Sequence, residues 1–85
     1  MNTMNTESLT VYTTPGCGQC TATSHALDAK GIQYSVVDVT ENTDALDYVK
    51  QLGYTSAPVV VVDDQEHWAG FRIDLIDQLA ARLNS

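Results

Sequence analysis

The sequence reads as an α/β protein, with four strands in one mixed sheet flanked by three helices in the order βαβαββα. Three features point there. Runs rich in β-branched residues recur at 9–13, 32–39 and 58–62, and such residues suit a pleated, half-buried surface. Between them lie stretches with apolar residues at helical spacing, closed by glycines. Every connection is short, and a strand–helix–strand opening implies a parallel pair with a right-handed crossover.

The elements follow in order. Leu9-Thr10-Val11-Tyr12-Thr13 alternates and forms the first strand, which Thr14-Pro15-Gly16 breaks. A helix follows, with Cys17 near its N-cap, Ala22, Ala26 and Ala29 at helical spacing, and Gly31 just past its end. Ile32 to Val39 is the second strand, where Tyr34, Val36, Val37 and Val39 suggest burial on both faces. Thr40 to Thr43 supplies helix-start residues, and Ala45, Leu46, Val49 and Leu52 form the apolar stripe that Gly53 stops. Pro58 to Val62 is the third strand, and Asp63-Asp64-Gln65 turns the chain into a short fourth strand, Glu66 to Ala69. Beyond Gly70, the residues Ile73, Ile76, Leu79, Ala80 and Leu83 mark an amphipathic last helix. Residues 1–7 repeat a Met-Asn-Thr triplet and are expected to be a disordered extension, with Met4 as good a start as Met1. Residues 8–85 are expected to form a single domain.

Composition narrows the function. The 85 residues carry four cations and eleven acids, a net charge of -7, with a pI near 4.3. Nucleic-acid binding without sequence preference needs clustered cations, so neither nucleic acid nor an anionic membrane is an expected partner. The longest apolar run is Val59 to Val62, far short of the roughly 20 residues of a spanning helix. No basic region followed by an apolar stretch opens the chain, so no secretion signal is visible and a cytoplasmic protein is expected.

The two cysteines, Cys17 and Cys20, enclose Gly18 and Gln19 at a strand-to-helix junction. Small secreted domains use several spaced cysteines as staples, whereas this pair closes a loop too short to stabilise much. Chemistry is the better reading. A helix N-terminus offers unpaired N–H groups and partial positive charge, which lower a thiol's pKa below the roughly 8.5 of a free cysteine. Cys17, nearer the end, is the better nucleophile; Cys20, one turn in, can attack a mixed disulfide formed on Cys17. Helical neighbours three apart hold their Cβ atoms about 5–6 Å apart, and a disulfide wants about 3.8 Å. The first turn must therefore begin in non-helical geometry, and Gly16 and Gly18 suit an adaptable turn there. The competing readings are an inert buried pair or half of a zinc site. His25 and His67 do not have the H-x₃₋₅-H spacing of a finger, so no metal is expected.

Ser56-Ala57-Pro58 precedes the valine run. Proline opening a strand cannot donate a ladder hydrogen bond. Read alone, an ordinary trans proline is the default, since cis is found in only about 5–6% of X–Pro bonds.

Together, Cys17-Gly18-Gln19-Cys20, Ala57-Pro58 and the element order resemble the thioredoxin/glutaredoxin superfamily. Closer still, Val11-Tyr12-Thr13, Pro15, Cys17 to Thr23, Ala26-Leu27-Asp28, Lys30-Gly31-Ile32, Val36-Val37-Asp38, Leu52-Gly53-Tyr54, Ala57 to Val60 and Trp68-Ala69-Gly70-Phe71-Arg72 are similar to the NrdH-redoxins, from about residue 9 to the end. The resemblance implies a thioredoxin fold and a dithiol–disulfide oxidoreductase. It implies no bound cofactor beyond the redox-active disulfide Cys17–Cys20, with electrons arriving from NADPH through a flavoprotein, thioredoxin reductase. The implied electron acceptor is the large subunit of class Ib ribonucleotide reductase, for deoxyribonucleotide synthesis, and the expected state is a monomer.

Carried over by residue, Cys17 attacks and Cys20 resolves. Pro58 is a cis-proline facing the disulfide and leaves the Ala57 backbone to a partner's extended peptide. Trp68 and Phe71 belong to a partner-binding surface, and Gln19 to the redox motif that meets partners. Glutathione-using relatives place two acids just after the G-[FY] that follows the fourth strand. Here Gly70-Phe71 is followed by Arg72 and Ile73, and Asp74 comes only afterwards. A glutathione- or mycothiol-dependent glutaredoxin is the alternative, a non-catalytic binding module a second, and iron–sulfur or metal binding through Cys17 a third. Thr14 stands where many relatives carry a lysine, and Ile73 where they carry a proline. Plain packing is the competing role for Trp68 and Phe71, and a solvated charge for Arg72. Asp38, at the end of an expected central strand, is a strand-end residue or a proton acceptor below Cys20.

Overall fold

A computed structural model describes residues 9–63 and 65–83. Among them the chain forms β1 (Leu9–Thr13), α1 (Gly18–Ala29), β2 (Tyr34–Asp38), α2 (Thr43–Gln51), β3 (Val59–Asp63), β4 (Glu66–Ala69) and α3 (Ile73–Leu83). The expected disordered extension at 1–7 lies outside the described residues. The sheet order is β2-β1-β3-β4. β1 pairs parallel with β2 and antiparallel with β3, and β4 returns antiparallel to β3, so the sheet is mixed, as expected of a thioredoxin fold.

Side-chain alternation along the strands builds two cores. Val11, Val60 and Trp68 face α1 and α3, where they meet Leu27, Ile76 and Leu79. Val59 and Val61 face the other way, onto Ala45 and Val49 of α2. β3 is therefore buried on both faces, which is why its sequence is a run of valines. Burying a Leu or Ile side chain completely contributes roughly 1.5–3 kcal/mol, and Leu27, Ile76 and Leu79 are the largest fully buried side chains.

Helices α1 and α2 end alike. After α1, Gly31 N–H reaches the Asp28 carbonyl and Ile32 N–H the Leu27 carbonyl, each at 3.0 Å. After α2, Gly53 N–H reaches Lys50 at 2.9 Å and Tyr54 N–H reaches Val49 at 3.1 Å. These are Schellman caps, and Gly53, at φ +97, supplies the left-handed residue the second one needs. The cap turns the chain back toward the sheet and delivers Tyr54 to the segment before Pro58.

Two expectations need correction. The second strand is Tyr34–Asp38 and lies at the sheet edge, so it is not buried on both faces; Val36 is 55% exposed. Ile32 and Val39 are buried, but outside the strand. On α1 the buried residues are Cys20, Thr23 and Leu27, while Ala29 is exposed; the long Leu27 side chain, not the alanine stripe, sets which face turns inward. The turn before β4 is made by Asp63, whose Oδ1 accepts the N–H groups of Gln65 and Glu66, each at 2.8 Å. No helix among the described residues is long and apolar enough to cross a membrane.

Candidate active site

β1 ends at Thr13, and Gly16, at φ +72, turns the chain into the helix start. Cys17 is extended (φ -91, ψ 107) and is the N-cap of α1. Its sulfur accepts the N–H of Cys20 at 3.0 Å, and its carbonyl accepts the N–H of Thr21 at 3.3 Å to start the helical ladder. The non-helical first residue brings the two Cα atoms to 5.2 Å, and Cys17 and Cys20 are joined in a disulfide. The Gly18 backbone is ordinary helix, so Gly16 alone supplies the unusual conformation. Cys20 is 5% exposed, whereas Cys17 is half-buried. An incoming nucleophile or disulfide therefore meets Cys17 first. The first turn of α1 carries no acid, although the chain holds eleven.

Two further segments converge there. The Ala57–Pro58 peptide bond is cis, and among the described residues the peptide groups of Ala57 make no hydrogen bond. The Pro58 carbonyl accepts the N–H of Gly70 at 2.8 Å. The next N–H along, that of Phe71, donates to Gln19 Oε1 at 3.3 Å. Consecutive peptides after β4 thus clasp both the proline segment and the redox motif. Gly70 sits at φ +86, and a side chain there would begin 3.7 Å from Gln19 Oε1, so the position excludes a side chain on conformation first. The Gly70–Pro58 and Phe71–Gln19 contacts span distant parts of the sequence, and the glycine between Trp68 and Phe71 was the one local sign of them.

The two aromatics part company. Phe71 is 39% exposed, beside Gln19, whereas Trp68 is 7% exposed and packs among Val11, Val60 and Leu79. Strand alternation turns Trp68 inward, so of the pair it is Phe71 that presents a surface. Arg72 closes bidentately on Asp74, Nε to Oδ1 at 3.1 Å and Nη2 to Oδ2 at 2.9 Å. Those hydrogen bonds, helped by charge attraction, hold the Asp74 carboxyl below its ordinary pKa. Asp38 ends an edge strand, and its Oδ1 accepts the Thr40 N–H at 2.8 Å and hydroxyl at 2.6 Å; it is a turn residue.

An open polar cleft of about 520 Å³ adjoins Cys17 and Cys20, with Thr13, Thr14, Thr21, Ser24 and His25 on its wall. His25 is exposed. His67 lies elsewhere, its Nδ1 2.7 Å from the Tyr54 hydroxyl.

The glutaredoxin family model matches residues 9–68. The Salmonella typhimurium glutaredoxin-like protein NrdH is 39% identical over 72 residues, covering 85% of this chain and 88% of that protein. The chain belongs to the glutaredoxin-like NrdH proteins. The solved NrdH-redoxin of Escherichia coli, described as having a thioredoxin-like activity profile, superposes with a TM-score of 0.79 at 33% identity, covering 85% of this chain and 93% of that one. The gene 56 protein of Mycobacterium phage L5 is 46% identical over 72 residues, 84% of this chain and 70% of its own length. The NrdH family and the Cys17–Cys20 pair together make this protein a thiol–disulfide oxidoreductase with a thioredoxin fold.

Proposed function

We propose that the protein is an electron donor to class Ib ribonucleotide reductase, itself reduced by thioredoxin reductase at the expense of NADPH. In the cycle, the Cys17 thiolate attacks one sulfur of the partner's disulfide. That S–S bond breaks, a mixed disulfide forms on Cys17, and the departing partner thiolate takes a proton. Cys20, deprotonated, then attacks the Cys17 sulfur and releases the second partner thiol. Two electrons and two protons have passed to the partner, and Cys17–Cys20 is oxidised. The Ala57 peptide groups pair with the partner's extended segment as a short added strand, Pro58 faces the disulfide, and Phe71 and Gln19 border the contact. Trp68 supports this surface from the core side. The protein works as a cytoplasmic monomer.

The observation that carries the choice of electron source is the Arg72–Asp74 pair. Glutathione offers an α-amino cation that wants free carboxylates after Phe71. Here the first residue is a cation, and the nearest carboxylate is already engaged by it. Thioredoxin reductase needs no such subsite. A donor of this kind is expected near thioredoxin's potential of about -270 mV, below the about -200 to -230 mV of glutaredoxins.

The test is turnover of a protein disulfide with NADPH and thioredoxin reductase, beside NADPH with glutathione reductase and glutathione, and the equivalent mycothiol system. Reduction with the first alone is expected. Reduction only through a low-molecular-weight thiol would transfer the protein to the glutathione- or mycothiol-dependent glutaredoxins, the reading that the open polar cleft beside Cys17 favours.

A further inference from the structure

The chain has four cations. Lys30 pairs with Asp77 at 2.7 Å, Arg72 with Asp74 at 2.9 Å and Arg82 with Glu66 at 2.6 Å. Lys50, exposed in the last turn of α2, is the one cation without an ion-pair partner among the described residues. It stands on the wall of a cavity of about 160 Å³ between α2 and the sheet, whose floor is Tyr12, Val39, Leu46, Val49 and Tyr54. A cavity of about 150 Å³ with apolar walls accepts a benzene ring, so this one has room for a leucine-sized side chain. No carboxylate lines it among the described residues, in a chain of net charge -7, and Lys50 is its single charged side chain.

The position of the cavity gives it a role. It runs up to Thr14 and Ala57. Thr14 also walls the cleft that holds Cys17, and Ala57 carries the unpaired peptide groups. A strand laid on Ala57 advances roughly 3.3 Å per residue and sends alternate side chains to opposite faces. A partner residue one or two places from the reacting cysteine is thereby carried over the cavity. Burial holds the Tyr12 phenol above its ordinary pKa, which disfavours an anion at that hydroxyl.

Resting on the redox reading above, we infer that the segment reduced at Cys17 is an extended apolar–acidic peptide. An apolar side chain near its cysteine seats on Leu46, Val49 and Tyr54, and a neighbouring Asp or Glu pairs with Lys50. Leu46 and Lys50 are specificity residues; neither touches the sulfurs.

The probe is a set of blocked, amidated peptides, each closed by one internal disulfide and differing in the two residues beside it: Leu-Glu, Leu-Gln, Leu-Lys and Ala-Glu. Pre-reduced protein is mixed with each, and the second-order rate of thiol release is compared with that for bis(2-hydroxyethyl) disulfide, which is uncharged and too short to reach Lys50. Leu-Glu is expected to outpace Leu-Gln about threefold to fivefold, the range of an exposed ion pair, with Leu-Lys slower again. Ala-Glu is expected to fall about tenfold behind Leu-Glu, the worth of the lost apolar burial. Lys50→Gln should erase the charge preference and Lys50→Glu invert it, with the small disulfide reduced at an unchanged rate by all three proteins. Equal rates across the peptides, or a preference for Leu-Glu that survives Lys50→Glu, overturns the inference and leaves the redox reading standing. So does a dimer by light scattering that Lys50→Glu dissociates, which would give the cavity to a second copy. Failure to reduce even the small disulfide overturns both.

Discussion

Two helices of this molecule begin with the same hydrogen bond made by different atoms. At α2, the Asn42 side-chain oxygen accepts the N–H of Ala45 at 3.0 Å. At α1, the Cys17 sulfur accepts the N–H of Cys20, also at 3.0 Å. Asn42 is among the best N-cap residues, and Asp44 in the first turn adds a favourable charge near the positive helix end. Both devices serve stability. Sulfur is a weak acceptor, and the first turn of α1 lacks an acid altogether. That start gives up capping strength and keeps its positive potential unspent, which suits the Cys17 thiolate of the proposed cycle. α3 sides with α2, carrying Asp74 in its first turn. Where a helix holds structure, the acid is built in; where it holds chemistry, the place is left vacant.

The largest effect should come from breaking the sulfur cap. Cys17→Ser is expected to abolish disulfide reduction outright while leaving stability equal to or above that of the reduced wild type, because serine is the stronger N-cap. Thermal melts under reducing conditions, paired with turnover, measure both. Cys20→Ser should instead accumulate a mixed disulfide on Cys17, visible as an intact-mass adduct. If Cys17→Ser keeps its turnover, Cys17 is not the attacking thiol and the comparison between the caps loses its meaning.

Next comes the structural cap. Asn42→Ala should cost about 1 kcal/mol, a fall of roughly 4–8 °C in Tm for a domain this size. The rate of Cys17 alkylation should stay where it was. A change in thiol reactivity here would mean that the two helix starts are coupled.

A finer cut puts the missing acid into α1. Gly18 is the first helical residue, its backbone is ordinary helix, and a Cβ there meets nothing within 4 Å. Gly18→Asp can therefore be made without strain, with Gly18→Asn as the uncharged match. The added carboxylate is expected to slow alkylation of reduced Cys17 at neutral pH about twofold to fivefold relative to the Asn variant, following the 0.3–1 kcal/mol of a terminal charge. The difference should shrink in high salt. Identical rates would show that the helix end contributes nothing to the thiolate.

The cap at Cys17, the clasp near Gln19 and the strand order were not equally legible beforehand. Short-range signals were reliable: the glycine ends of α1 and α2 and the start of α3 follow from residues within a turn of one another. The cysteine pair's role also follows from local spacing at a helix start. What the chain does at long range is another matter. Val36 and Val60 look alike as letters, yet one lies on an edge strand and the other at the centre, because β-branched residues favour strands wherever they stand. Trp68 and Phe71 share a motif but differ in burial, because Trp68 points inward from β4 while Phe71 lies past the strand's end, beyond the turn at Gly70. The Phe71–Gln19 bond joins residues 52 apart, and no periodicity encodes it. Lys50 drew no notice at all, since an unpaired cation is recognised only after the other three have found their partners.

The smallest expected effect lies at α3, where the acid in the first turn is itself paired. The Arg72 hydrogen bonds, with charge attraction and two backbone N–H groups, keep the Asp74 carboxyl below its ordinary pKa. A carboxyl whose folded pKa is depressed stabilises the fold above its unfolded pKa, and that contribution is lost as pH falls through the folded value. Both side chains are about half exposed, 51% and 55%, so solvent screening leaves little to lose. Asp74→Asn should therefore lower Tm only slightly at pH 7, and the two proteins should melt together once the solution is more acidic than the lowered Asp74 pKa. A gap that persisted into acid would have to come from something other than the carboxylate's charge. Alkylation of Cys17 should be unchanged throughout. If removing Asp74 altered it, then Arg72, once released, reaches the thiolate, and the acid of α3 serves the chemistry after all.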